Sequence, residues 1–332
     1  MEYVIVSLIK VVVVFAVLLG CVAYTTLLER KVLGWIQVRH GPNRVGPWGL
    51  LQPVCDGLKF FFKEDLVPAN VDKPVFILAP VISLIPAILI VGAIPFGDTV
   101  TVFGREIRLA IADINIGIIY IIGLAGISAY GPMLGGWSSR NRYGLLGAMR
   151  SAAQGISYEL AMGLTLVSVI MITGTMSLTK IVAYQREWWL IFKQPVAFVL
   201  LIICGLAEIN RTPFDMSEAE AELACGFNIE YSSMKFALFF MAEYAHMISL
   251  AAITTCLFLG GWNLPFGIEL PFVPKILIFM GKVFALVFFF IWERGTFPRL
   301  RYDQIMHLGW KWMMPIAIIN LLLTAAVSLF TA

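Results

Sequence analysis

Residues 3–28 read YVIVSLIKVVVVFAVLLGCVAYTTLL, and this first apolar stretch decides which class of fold the chain can form. A helix of about 20 consecutive apolar residues spans a bilayer, whereas the hydrophobic region of a signal peptide has only about 7–15. No small-residue cleavage site follows the stretch, so we expect a retained membrane helix rather than a cleaved leader.

The composition of the whole chain is that of an integral membrane protein. Of its 332 residues, 60% are hydrophobic and only 14% are charged, whereas soluble domains carry about 25% charged residues. Further apolar runs predict an all-α integral membrane protein with about eight transmembrane helices and one interfacial amphipathic helix, in a single membrane domain over residues 1–332. The predicted spans are 3–28, 74–96, 114–136, 145–173, 188–208, 235–260, 272–293 and 309–331.

Basic residues in the loops predict the orientation in the membrane. The odd-numbered loops carry thirteen Lys and Arg residues, and the even-numbered loops carry four. Because cytoplasmic loops are enriched in positive charge, the odd loops should be cytoplasmic and both termini should lie on the other side.

The first loop contains a candidate interfacial helix over residues 50–66, within LLQPVCDGLKFFFKEDL. At 100° per residue, its leucines and two of its three phenylalanines fall on one face, and Asp56, Lys59 and Lys63 fall on the opposite face. The segment is too short to span a bilayer, so we expect it to lie in the membrane interface. Packing on a soluble partner is the alternative.

Several kinds of site are absent from the sequence. The five cysteines form no CxxC pair, which argues against an iron–sulfur cluster, a zinc site or a disulfide framework. There is neither a GxGxxG nor a Walker A motif. We therefore expect no metal site and no catalytic redox centre in this chain, so electrons must come from a partner.

Residues 208–244 form the main candidate functional segment, EINRTPFDMSEAEAELACGFNIEYSSMKFALFFMAEY. They hold seven of the 21 acidic residues of the chain. A carboxylate at the centre of a membrane helix costs about 2.5–3.5 kcal/mol on insertion scales, so such a cluster indicates proton, ion or polar-substrate handling. For Glu220 and Glu230, taken alone, an ordinary solvated loop is the favoured interpretation.

The TPFDMSEAEAE part of this segment resembles the start of a helix. Asp215 would be the N-cap and Glu218 the third helical residue, as in a capping box. The spacing would also place Asp215, Glu218 and Glu222 on one helix face, where like charges raise the pKa of at least one member. We therefore expect either a structural cap or a proton-exchanging face.

Ionisable residues also interrupt the apolar spans. Glu159, Glu243 and Lys282 lie within spans, and Glu208 ends one. Such residues usually face the bundle interior, so Glu159, Glu208, Glu222 and Glu243 could form a polar track. A lone histidine in a helix, such as His246, is more often a hydrogen-bonded core residue.

Long motifs in one order, over about residues 20–315, resemble the family of H subunits of proton-translocating NADH:quinone oxidoreductase, which is respiratory complex I. The mitochondrial counterpart is the NADH dehydrogenase chain 1 type. The motifs are LLERKVLGWIQVRHGPNRVGPWGLLQP, GLKFFFKED, RSAAQGISYEL, the acidic segment and FPRLRYDQIMHLGWK.

The resemblance implies a quinone-access tunnel, part of a quinone site, and an acidic path that couples quinone reduction to proton translocation. The implied quinone-site residues are Arg30, Arg39, Asp56, Lys59, Glu218, Glu220 and Glu222. The implied proton path comprises Glu159, Glu208, Asp215, Glu222, Glu230 and Glu243. The implied ion-pair or docking residues are Arg211, Arg294, Arg299 and Arg301.

The resemblance also implies the surroundings of the chain. Its substrate would be ubiquinone or menaquinone, and it would bind no cofactor alone, since FMN and iron–sulfur clusters would belong to partner subunits. Those partners would be peripheral-arm subunits, small membrane subunits and antiporter-like subunits, together with membrane lipid and no nucleic acid. The location would be the cell inner (plasma) membrane.

Two rival functions use the same residues. A self-contained ion-coupled transporter would use the carboxylates as its ion site, but no internal repeat or broken-helix signal favours it. A purely structural anchor for a peripheral complex would fit the basic loops but would not require carboxylates near hydrocarbon.

Overall fold

The computed structural model describes residues 2–102, 105–267 and 274–331, and this part of the chain is almost entirely helical. The helices are α1 (Glu2–Ile36), α2 (Gln52–Phe62), α3 (Lys73–Gly92), α4 (Gly117–Ser138), α5 (Arg142–Thr173), α6 (Leu178–Tyr184), α7 (Leu190–Lys193), α8 (Pro195–Glu208), α9 (Glu220–Leu223), α10 (Ser233–Phe258), α11 (Lys275–Thr296), α12 (Tyr302–Leu308) and α13 (Met314–Thr331). One antiparallel hairpin, β1 (Thr99–Val102) and β2 (Arg105–Arg108), lies between α3 and α4.

The predicted all-α membrane class is confirmed. Within the described residues, seven helices are long and apolar enough to cross a membrane: α1, α3, α4, α5, α10, α11 and the continuous segment Tyr302–Phe330. The predicted span 188–208 instead contains the short helix α7 and the 14-residue apolar helix α8. The non-helical backbone of Gln194 separates these two helices. Pro195 occupies a first-turn position of α8, where a backbone N–H would have no helical hydrogen-bond partner, so its absence costs nothing.

The first helix is longer than its predicted span, which ended at residue 28. It continues to Ile36 although Glu29, Arg30 and Lys31 follow the apolar run. Glu29 is buried and forms ion pairs inside the protein. Because that charge has partners, the helix extends past the point at which hydropathy alone ends it.

Close packing of α3 on α4 relies on a glycine. A Cβ atom added at Gly131 would lie 2.6 Å from the Cβ atom of Ser83. Lipid supplies no hydrophobic driving force between helices, so membrane helices associate largely through van der Waals packing. Small residues favour this packing because they let the helix backbones approach closely. This contact brings Ser83 of α3 and Ser128 of α4 into one buried hydrogen bond, 2.9 Å from Ser128 Oγ to Ser83 O.

The helix α2 is attached near its middle and at its C-terminal end. Near the middle, Arg30 of α1 forms a 2.6 Å ion pair with Asp56. At the C-terminal end, Ser233 Oγ lies 2.9 Å from each of the carbonyl oxygens of Phe60 and Lys63. A helix is therefore present within the predicted segment 50–66, but it is shorter, because residues after Phe62 leave the helix and bind the start of α10.

At the opposite end of the bundle, Lys282 of α11 binds the chain that follows α10. Its Nζ donates hydrogen bonds to the carbonyl oxygens of Leu259, Gly261 and Asn263 at 2.6, 2.9 and 2.5 Å. It also lies 4.3 Å from the centroid of the Trp189 ring. The intramembrane lysine predicted as an exception to apolarity thus has three carbonyl partners.

Candidate functional site

A buried ion cluster surrounds Arg211, just after α8. Its guanidinium is 2.5 Å from Glu29 Oε2 and 2.6 Å from Glu243 Oε1, and it stacks over Tyr244 at 4.6 Å from the ring centroid. Arg294 of α11 forms a second ion pair with Glu29. The Arg211 side chain is only 3% exposed, so this cluster is an internal feature of the bundle.

Each partner in this cluster comes from a different element. Glu29 lies on α1, Glu243 on α10 and Arg294 on α11, while Arg211 lies in the turn after α8. A buried arginine without carboxylates would be strongly unfavourable, because taking a charge out of water costs several kcal/mol. The cluster therefore specifies how these four segments meet.

A small interior cavity lies beside the cluster. It has a volume of about 100 Å³ and is lined by Glu208, Glu218 and Glu243, together with Ser217 and His246. Three carboxyl groups of the predicted site thus face one space that has room for several water molecules. Ser217 Oγ, which is fully buried, has no hydrogen-bond partner among the residues that the structure describes.

Glu218 lies in loop five, residues 209–232, and has a strongly shifted pKa. Burial, followed by the nearby carboxylates of Glu243 and Asp215, raises the pKa of Glu218 to about 8, although Arg294 and a hydrogen bond from Asn228 oppose the shift. The Asn228 amide nitrogen is 2.6 Å from Glu218 Oε1. A carboxyl group with this pKa exchanges its proton near neutral pH.

The predicted helix face of Asp215, Glu218 and Glu222 is wrong. Residues 212–218 form turns, and α9 begins only at Glu220. Asp215 forms a 3.2 Å ion pair with Arg299, and Leu300 N donates to Pro213 O at 3.1 Å. These contacts with the segment after α11, and the Asn228 bond to Glu218, fix loop five in a form that local spacing cannot indicate.

Other predicted path residues lie outside the cavity lining. Glu222 is exposed and forms a 2.6 Å ion pair with Arg150, and Glu230 accepts a 2.8 Å hydrogen bond from Asn141 Nδ2. Glu159 packs against Gly126, where an added Cβ would lie 2.9 Å from Glu159 Oε1. The side chain of Glu220 lies outside the described part of the structure.

Three of the four predicted quinone-side residues of the first loop, Arg30, Asp56 and Lys59, lie on α2 or contact it. Arg30 and Asp56 form the ion pair that joins α1 to α2. Arg39 is exposed and donates to Gln37 Oε1 at 2.6 Å, and Lys59 is exposed on α2. None of these four residues lines the interior cavity, so the structure separates them from the three cavity carboxyl groups.

The basic residues of the predicted ion-pair or docking set differ in exposure. Arg211 is buried and pairs with Glu29 and Glu243, and the partly buried Arg294 pairs with Glu29. Arg299, whose side chain is 40% exposed, pairs with Asp215. Arg301 pairs with Asp303 at 3.0 Å and is 71% exposed, so its charge is the most exposed of the four.

A second, larger cavity runs along α1. Its volume is about 640 Å³, and its lining is almost wholly apolar, with contributions from α1, α3, α10, α11 and residues 109–111. On α1 its lining extends from Ile9 to Lys31. This cavity has the shape and polarity to hold a long apolar chain.

Glu29 is the principal residue that the sequence analysis left without a role. It directly follows the first predicted span, beside Arg30 and Lys31. A carboxylate at the end of a hydrophobic run could have been selected by the same desolvation argument that selected Glu208. Among the described residues, no cluster of three or more His, Cys, Asp or Glu could hold a metal ion.

Comparisons with known proteins point to one family. A family model described as NADH dehydrogenase matches residues 9–325. The H subunit numbered 1 of the NADH-quinone oxidoreductase of Geobacter sulfurreducens is 52% identical, covering 98% of this chain and 96% of that protein. The H subunit numbered 2 of Geobacter metallireducens is 51% identical over 98% and 96% of the two chains, and that of Syntrophotalea carbinolica is 48% identical over 96% of each.

Proposed function

The chain belongs to the NADH dehydrogenase family, and we propose that it frames the quinone-access tunnel and couples quinone reduction to proton translocation. It is a membrane subunit of an NADH-quinone oxidoreductase complex, like the H subunits that it resembles. The observation that carries the proposal is the interior cavity shared by Glu208, Glu218 and Glu243 next to the buried Arg211.

The apolar cavity along α1 supports the tunnel. An isoprenoid tail is apolar and flexible, and the lining from Ile9 to Lys31 offers it apolar side chains over most of the length of α1. A tail that enters from the bilayer is already in hydrocarbon, so the lining contributes close van der Waals contact rather than removal from water. Arg30 and Asp56, which join α1 to α2, together with Arg39 and Lys59, would frame the polar end of the tunnel.

The interior cavity supports the coupling role. Reduction of a quinone places negative charge or a proton demand near loop five, and charges interact strongly where the dielectric constant is low. Glu218 responds first, because its pKa near 8 makes its proton exchangeable at neutral pH. Glu208 and Glu159 then carry the change towards the neighbouring membrane subunits, while Glu222 and Glu230 serve at the loop surface.

Partner subunits complete the proposed assembly. Peripheral-arm subunits with FMN and iron–sulfur clusters would supply electrons, and small membrane and antiporter-like subunits would continue proton translocation. Arg301, whose side chain is 71% exposed, is the basic residue best placed to meet the peripheral arm. The location would be the cell inner membrane, with both termini on the non-cytoplasmic side.

The experiment is a comparison of Glu208→Gln with Glu187→Gln in the intact complex in native membranes. Glu187 is exposed, lies between α6 and α7, and takes no part in the cavity, so it controls for the loss of one carboxylate. We expect Glu208→Gln to depress both coupled NADH:quinone activity and proton pumping, and Glu187→Gln to leave both unchanged. Unchanged reduction and pumping in Glu208→Gln would remove Glu208 from the path.

A further inference from the structure

His246 links the interior cavity to the contact between α3 and α4. It lies on α10 three residues after Glu243, so both side chains share one helix face. Its Nε2 atom is 2.6 Å from Ser128 Oγ, and Ser128 Oγ is 2.9 Å from the carbonyl oxygen of Ser83. The expected hydrogen-bonded core histidine is therefore present, and it also lines the cavity.

Both contacts of the Ser128 hydroxyl are satisfied together in one tautomer of this imidazole. In that arrangement the hydroxyl donates its one proton to the Ser83 carbonyl oxygen and accepts a hydrogen bond from Nε2–H of His246 at 2.6 Å. In the neutral ring, Nδ1 is consequently the nitrogen that can accept a further proton.

The surroundings of the cavity give that nitrogen partners for proton exchange. Among the described lining residues, the titratable groups that accompany His246 are Glu208 from α8, Glu218 from loop five and Glu243 from α10 itself. The α3, α4 and α5 residues in the lining, such as Ser83 and Ser128, bring no ionisable group. The buried Ser217 Oγ, which also lines the cavity and lacks a protein partner among the described residues, favours water there.

We propose that His246 is a proton-relay residue that transfers protons between Glu218 and Glu208 across the interior cavity. The carboxylic O–H bond of Glu218 breaks, and its proton passes through cavity water to form an N–H bond at Nδ1. This leaves a carboxylate and an imidazolium. The Nδ1 proton then passes to the carboxylate of Glu208, which becomes neutral, and the neutral imidazole returns with Nε2–H still bound to Ser128.

The relay rests on the proposed coupling role and deepens it, because it assigns a group between two of its carboxyls. It also gives Ser128 and Ser83 a part: they hold the ring in one tautomer, so that Nδ1 alone exchanges the proton. They are positioning residues, since neither takes up the transferred proton. The imidazole of His246 changes charge during turnover, which a purely structural histidine does not do.

The test compares His246→Gln with Ser128→Ala in the intact complex, reconstituted in vesicles. Glutamine can still donate to Ser128 Oγ but cannot take up a proton, whereas Ser128→Ala keeps the imidazole and removes its anchor. Two quantities are measured: coupled NADH:quinone turnover with its proton yield, and the infrared difference spectrum on quinone reduction with ring-labelled histidine.

We expect His246→Gln to lower coupled turnover about tenfold or more, in keeping with the loss of a positioned proton-transfer group. A histidine protonation band should appear in the wild-type difference spectrum and disappear in this variant. Ser128→Ala should lower turnover by less than His246→Gln does, because the ring remains but loses its anchor, and the band should appear at a shifted frequency because Nε2 has lost its acceptor.

Three results would overturn the relay. They are normal turnover and proton yield in His246→Gln, a wild-type spectrum without a histidine band, or a band that neither variant changes. If His246→Gln does not assemble, the wild-type band and its shift in Ser128→Ala decide the question. Normal coupling in His246→Gln alongside impaired coupling in Glu208→Gln would reject the relay alone, whereas normal coupling in both would reject the proposed function as well.

Discussion

Replacement of Arg211 by methionine is the sharpest test of the buried ion cluster. The change keeps much of the side-chain volume but removes the cation between Glu29 and Glu243, at 2.5 and 2.6 Å. Glu29 retains Arg294, whereas Glu243 loses its guanidinium. Leaving one buried charge unpaired costs about 3–5 kcal/mol, so we expect a loss of that size in the free energy of unfolding.

A double-mutant cycle with Glu243→Gln isolates the pair. Glu243→Gln alone leaves Arg211 paired with Glu29 and should cost about 1.5–3 kcal/mol, the contribution of a hydrogen bond to a charged group. In the double variant no unpaired carboxylate remains at position 243. The sum of the two single-variant losses in unfolding free energy should therefore exceed the loss in the double variant by about 1–3 kcal/mol, the coupling expected for residues in direct contact.

The assay is reversible unfolding of the purified full-length chain in mixed micelles, driven by increasing sodium dodecyl sulfate and followed by tryptophan fluorescence. Arg301→Met is the matched control, because the Arg301–Asp303 pair is 71% and 66% exposed and surface pairs contribute about 0–1 kcal/mol. The reasoning is refuted if Arg211→Met costs no more than Arg301→Met, or if the two single costs add to the double cost within about 0.5 kcal/mol.

Three further predictions concern loop five, the far end of the bundle and α2. The pKa of Glu218 is raised from 4.5 to about 8, so between these pH values the folded chain keeps a proton that the unfolded chain releases. The free energy of unfolding should therefore fall as pH rises from 4.5 through 8. Glu218→Gln should flatten this pH dependence in unfolding titrations at several pH values. Lys282→Met should lower the free energy of unfolding by about 1.5–3 kcal/mol in the same assay, because three carbonyl oxygens lose their charged hydrogen-bond donor. An unchanged free energy would show that these three hydrogen bonds contribute nothing to stability. Phe61 and Phe62 are 70% and 87% exposed, so at the interface lipid would bury both rings. The double change Phe61→Ser and Phe62→Ser should weaken vesicle binding of a peptide covering residues 50–66 by about 1.5–3 kcal/mol for each buried ring. Equal binding of the two peptides would exclude the interfacial position.

The acidic loop shows most clearly where prediction from sequence failed. The three- and four-residue spacing of Asp215, Glu218 and Glu222 indicated a helix, and the chain forms turns there instead. Helix spacing describes only local geometry. The conformation of loop five depends on Arg299, which binds Asp215, and on Asn228, which binds Glu218, and their proximity follows from the packing of separate helices.

The buried cluster illustrates a different limit. Desolvation arguments select Glu208 and Glu243 from the sequence, because a charge in an apolar run is visible without any structure. The same arguments do not reveal that Arg211 binds Glu29, a residue 182 positions away in the chain. Its assignment to the ion-pair or docking set rested on the family resemblance, whereas its burial is a property of the assembled bundle.

The sequence by itself determined the membrane class, the number of apolar runs, the existence of α2 and which carboxylates lie in or beside apolar runs. Hydropathy and amphipathic periodicity are sums over neighbouring residues, so each segment carries them alone. Only the tertiary structure decided that α8 is short, that α1 continues past Glu29, and that Glu208, Glu218, Glu243 and His246 share one cavity. Those features depend on pairing of charges and close contact between helices far apart in the chain, and no local pattern encodes which partners will meet.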